Sequence, residues 1–221
     1  MRTVLAGLLL AITASQVSAA DVRTVVHVAD HASVPRKDCE EAQRVVQRVF
    51  RTAGVVVDFV TKPRGAAAND AHHVELVIFS DAMVALEMQS GHVTRQVVGR
   101  ASRPLGRAYV YYKHVAAHAR DTRSSLPLVL AMAIAHEVAH LHLPPDSHSS
   151  GGIMEARVGG RITRVPTFTG AQAAAMRGFL AAVERSGTGR LAQTQPAPAD
   201  ATTASSEDLV VMKVIADPFA D

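Results

Sequence analysis

The chain has 221 residues, 48% of them hydrophobic, and a formal net charge of +3. That length and apolar content suit one domain with a sizeable core, followed or not by a tail. Lys and Arg are scattered and only three Tyr and six Phe are present, which argues against a nucleic-acid surface; a single cysteine, Cys39, rules out an internal disulfide.

The first 20 residues combine a basic start at Arg2, an apolar run from Val4 to Ile12, and a small-residue exit at Val17-Ser18-Ala19-Ala20. These are the parts of a secretory signal peptide cleaved after Ala19 or Ala20. The apolar run is well short of the roughly 20 residues that a membrane span needs, so the expectation is a secreted or periplasmic protein with no stable membrane insertion after cleavage. No cysteine marks the cleavage point for a lipid anchor. Three parts are expected: a signal peptide at 1–20, a catalytic domain at 21–185, and a disordered tail at 186–221.

Val22 to Val28 mixes β-branched and polar residues and predicts a first strand. Between Asp38 and Ala53 the residues Ala42, Val45, Val46, Val49 and Phe50 recur at helical steps, and Gly54 stands where that helix would stop. Cys39 reads as a small residue near its start. Val55 to Val60 and His73 to Phe79 predict two more strands, separated by a polar loop through Asn69-Asp70. Residues 82 to 102 fit neither template. Ala108 to Val115, with Tyr109, Tyr111 and Tyr112, predicts a further strand after the turn residues Pro104 and Gly106.

Leu126 to His142 is apolar on nearly every face, as expected of a central buried helix, with Ser125 as its cap and Pro144-Pro145 as its stop. Thr169-Gly170-Ala171-Gln172 has capping-box spacing and opens a last amphipathic helix from Ala171 to Val183. Beyond Ser186 the composition turns to Gly, Thr, Gln, Pro, Ala, Asp and Ser, a disordered pattern. It is interrupted by a short apolar patch, Leu209 to Ile215, either a docking strand or of no consequence.

The buried helix carries His136-Glu137-Val138-Ala139-His140. Residues four apart are displaced by about 40° around a helix, so both imidazoles can bind one ion at about 2.0–2.1 Å. Glu137, on the neighbouring face, can reach a water at that ion without being a ligand, the position of a general base in hydrolysis. Two histidines and a glutamate in an apolar element also need a reason to be there, because unpaired buried polar groups are costly. Zn2+ is the expected cofactor. A catalytic zinc takes a third protein ligand and keeps one position open.

His136 to His140, His148-Ser149 and Gly151-Gly152-Ile153-Met154 together resemble the metzincin clan of metallopeptidases, with its extended HExxHxxGxxH motif and methionine-containing turn. The resemblance implies an α+β, zincin-type domain with a small mixed β-sheet, a buried active-site helix, a methionine turn beneath the metal, and a C-terminal helix. It spans about residues 22 to 185 in element order, but only 136 to 154 carries specific residues. Leu143 stands where the clan has Gly, and His148 lies eight residues after His140 instead of six. Asp146 occupies the clan's own spacing and resembles the snapalysin variant, so His148 and Asp146 both remain candidates, with imidazole the commoner partner of two other histidines.

The site read this way has His136, His140 and His148 as metal ligands and Glu137 as catalytic base, in a zinc endopeptidase acting on protein or peptide outside the cytoplasm. The alternative is a zinc-binding non-catalytic protein, or a narrowly specific processing protein, of the cell envelope. No Tyr follows Met154 to assist an oxyanion, and Arg107 to Tyr112 is the expected edge strand for an extended substrate. The other four-residue pairs, His27 with His31 and His114 with His118, lack a neighbouring acid or helical pattern. His142 should face away from the ion, and His72 and His73 should flank a strand in solvent.

Overall fold

The structure, a computed structural model, describes residues 22–61, 72–91, 93–186 and 209–214. The expected signal peptide and most of the expected tail lie outside these residues. The described chain is a mixed α+β fold of seven strands and five helices. The sheet runs β2-β1-β3-β5-β4-β7-β6, where β1 is Val22–Asp30, β2 Val55–Val60, β3 His72–Phe79, β4 Val97–Ser102, β5 Arg107–Tyr111, β6 Arg157–Val158 and β7 Leu209–Val214. It is larger than the small mixed sheet expected, and mostly parallel: β4 alone runs antiparallel to both its neighbours, β5 and β7.

Two cores form because strand side chains alternate between faces. Leu76, Ile78, Ala108 and Val110 point into the main core, which α1 (Arg36–Thr52) and α4 (Leu126–His140) fill. Val77, Phe79, Tyr109 and Tyr111 point the other way, into a smaller cluster with Val84 of α2 (Asp81–Gln89). α1 buries the stripe read from its sequence, Ala42, Val45, Val46, Val49 and Phe50, and ends before Gly54, whose φ of 72° suits a residue without a Cβ. α5 (Gly170–Arg185) opens with the predicted capping box: Thr169 Oγ1 accepts from Gln172 N, and Gln172 Oε1 accepts from Thr169 N.

Three stretches depart from the sequence reading. Residues 82 to 102 contain most of α2 and all of β4. α2 buries only Val84, while Leu86 is 66% exposed, so no apolar stripe marks it; β4 is covered on both faces and does not alternate. The strand expected to run to Val115 stops at Tyr111, and α3 (Tyr112–Asp121) begins there with no side-chain cap to announce it. β5 is also an interior strand between β3 and β4, so Arg107 to Tyr112 offers no free edge for a substrate. His72 is fully buried in β3 instead of facing solvent.

α4 ties these parts together. It packs against α1, α3 and strands β3, β4, β5 and β7, and every residue from Val129 to His140 is buried. Truncating Leu130 or Ile134 to Ala in such a position costs about 2–5 kcal/mol. The helix stops at His140, two residues earlier than read, with Ser125 at its N-cap making no side-chain bond. No helix among the described residues is long and apolar enough to cross a membrane.

Candidate metal centre

α4 delivers two imidazoles to its C-terminal end from one face. The chain then turns through Pro144-Pro145 and places Asp146 in the left-handed region, with φ of 57°. This tight turn absorbs the two extra residues between His140 and His148 and swings His148 back over the helix end. His136 Nε2 and His140 Nε2 are 2.9 Å apart; His148 Nε2 lies 3.2 Å from the first and 3.1 Å from the second. Asp146 is exposed and outside this triangle, so of the two candidates the fold brings His148, not Asp146, to the pair.

Three ring nitrogens at such distances cannot all be donors and acceptors to one another in the ring planes. The outer nitrogen of His136 settles its tautomer: Nδ1 is 2.8 Å from the Ile153 carbonyl oxygen and must donate to it, which leaves Nε2 as a lone pair facing the triangle. His140 Nδ1 is 3.2 Å from Ser147 Oγ. Burial pushes the pKa of His136 down to about 4 and, aided by the neighbouring histidines, that of His140 down to about 2; burial also lowers His148. All three are therefore neutral near pH 7, and neutral inward-facing imidazoles are the donor set a divalent transition ion takes. The residues fit a metal.

The turn over residues 151–154 supports this arrangement through its backbone. Ile153 carries the carbonyl that orients His136, Met154 O accepts from Ser149 N at 3.0 Å, and Met154 is fully buried in the core. Gly152 sits at φ of 82°, where a Cβ would stand 3.0 Å from Thr167 O. Gln172 does two jobs: besides closing the α5 capping box, its Nε2 donates to Ser149 Oγ at 3.2 Å and lies 3.4 Å from Ser147 O, tying α5 to the loop that holds His148. The sequence pattern marks Gln172 as a cap and Ser147 as nothing, since both contacts are long-range.

Glu137 is fully buried between α4 and β4. Gly99 of β4 makes room for it, because a Cβ there would come within 2.7 Å of Glu137 Cγ and 2.8 Å of Oε1. Desolvation raises the Glu137 pKa well above the usual carboxylate range; the Met212 backbone and the Arg100 guanidinium oppose that rise. Neither carboxyl oxygen completes a hydrogen bond among the described residues. Arg100 itself is held by Glu87 at 3.2 Å and lies over the Tyr109 ring. Tyr111, whose pKa burial raises, also feels the Glu137 charge and keeps a buried hydroxyl with no partner among the described residues.

The remaining histidines fall elsewhere. His114 and His118 do share a helix, contrary to the sequence reading, and both are buried in α3. His114 Nδ1 is 2.7 Å from the Val97 carbonyl. His142 faces away from the triangle, as its position implies, with Nε2 3.1 Å from Thr24 Oγ1, and His27 contacts His73 at 2.9 Å. No protein-family model matches this sequence, and no curated relative matches it significantly.

Proposed function

We propose that this chain is a zinc-dependent, metzincin-like peptidase that acts outside the cytoplasm, with His136, His140 and His148 holding the ion and Glu137 as general base. The observation that carries the reading is the convergence of the ring nitrogens of His136, His140 and His148, the first two from the helix that also carries Glu137. A zinc ion bound there would polarise a carbonyl and lower the pKa of water. The chain's own residues do the rest. Ile153 O accepts from His136 Nδ1, so the His136 Nε2 lone pair stays aimed inward, and Ser147 Oγ lies against His140 Nδ1 and holds that ring in place. Glu137 takes a proton from the attacking water and passes it to the leaving amine, in a pocket dry enough to raise its affinity for that proton. Export rests on the basic and apolar pattern of residues 1–20.

A second reading, zinc binding without turnover, is favoured by one feature: Glu137 is 0% exposed. The two separate on the full chain loaded with zinc and given a denatured protein as substrate. The peptidase reading expects hydrolysis that drops by about 10²–10⁴ in Glu137→Gln while bound zinc is unchanged. Zinc retained in both chains with no hydrolysis in either, as the full chain or after a cut that frees Leu209–Val214, would leave the binding reading.

A further inference from the structure

Glu137 is covered by the chain itself. β7 pairs antiparallel with β4 on one side and parallel with β6 on the other, and Lys213 N donates to Ala156 O at 2.9 Å. The strand thus bridges the sheet to the segment just after the turn over residues 151–154. Its middle lies beside the carboxyl: Met212 is opposite Gly99, the residue whose missing side chain seats Glu137. Met212 is fully buried and α4 packs against β7, whereas Lys213 faces solvent. Without β7, β4 would present a row of unpaired backbone groups and β6 would lose its one partner in the sheet. Such an edge binds an extended peptide through its main chain, with side-chain pockets setting preference.

We infer that the channel between β4 and the 156–158 segment is a binding site for one extended peptide strand antiparallel to β4, and that Leu209–Val214 is the chain's own occupant, which must leave before a substrate reaches Glu137. The identity of the incoming peptide as substrate rests on the peptidase reading; the occupancy of the channel by β7 does not. The peptide class follows from β7: a strand with an unbranched apolar side chain opposite Gly99 and a solvent-facing residue after it.

The test compares the full chain with two opened forms. One carries Met212→Asp, which places a second acid against Glu137. The other folds with a specific protease recognition sequence inserted after Ala201 and is cut afterwards, so that folding is not at issue. The probe is a labelled hexapeptide Leu-Val-Val-Met-Lys-Val, followed by anisotropy, with hydrogen exchange read over residues 97 to 102. The opened forms should bind the hexapeptide at least about tenfold more tightly than the parent, and their β4 amides should exchange at least about tenfold faster. Equal peptide binding and equal β4 exchange in the parent and the cut chain would overturn the proposal. Tight peptide binding in the opened forms, with no hydrolysis by any form, supports the channel and rejects the peptidase reading. Hydrolysis at one rate in parent and opened forms rejects the covering role and keeps the peptidase.

Discussion

Two helices that pack against each other, α3 and α4, each carry a buried histidine pair at four-residue spacing, and among the described residues only the α4 pair meets a third donor. His136 and His140 converge with His148 because the turn through Asp146 returns the chain to the end of α4. His114 faces the Val97 carbonyl, and His118 keeps a buried Nε2 with no partner among the described residues. Spacing aligns two imidazoles; a site needs a loop that brings a third and partners that fix which nitrogen faces inward. The α4 pair has the loop, a carbonyl at Ile153 that fixes the His136 tautomer, and Ser147 Oγ against His140 Nδ1.

The largest effect that would break this contrast is loss of the metal. His136→Ala or His140→Ala should abolish stoichiometric zinc in the dialysed chain, and His118→Ala should leave zinc per chain unchanged by elemental analysis. A next, smaller effect appears in acid. The metal-free folded chain keeps His136 neutral down to about pH 4, whereas an unfolded chain protonates it below its ordinary value of 6.5. The unfolded state then binds more protons, so stability is lost as pH falls from 6.5 towards 4, by on the order of 3 kcal/mol from His136. Urea midpoints across that range should fall more steeply in the parent than in His136→Gln; parallel curves would contradict the assignment.

Gly99→Ala comes next. The new Cβ must displace the Glu137 carboxyl, and hydrolysis should fall by about 10²-fold with zinc content intact. The smallest expected change is Ser147→Ala, which removes the oxygen against His140 Nδ1 and should weaken zinc binding by about tenfold in a competition titration.

What the sequence carried was local. The α1 stripe, the α5 capping box and the fully apolar α4 were legible because each depends on residues within a few positions of one another. So was the His136 and His140 pair, and His148 stood as one of two candidates until the fold placed Asp146 in solvent. Illegible were the features set by distant neighbours. β4 has no alternation because it is covered on both faces, and α3 follows β5 without a loop. The pairing of Gly99 with Glu137 and of Met212 with Gly99 joins segments far apart in the chain, one of them embedded in a low-complexity stretch.

The ligand set of the zinc-loaded full chain, read by X-ray absorption together with zinc titration of His148→Ala and Asp146→Ala, tests the centre most directly. One tightly bound ion with three imidazole nitrogens at about 2.0–2.1 Å, lost in His148→Ala and kept in Asp146→Ala, is the expected result. Zinc retained by His148→Ala, or a carboxylate in place of the third imidazole, would contradict it.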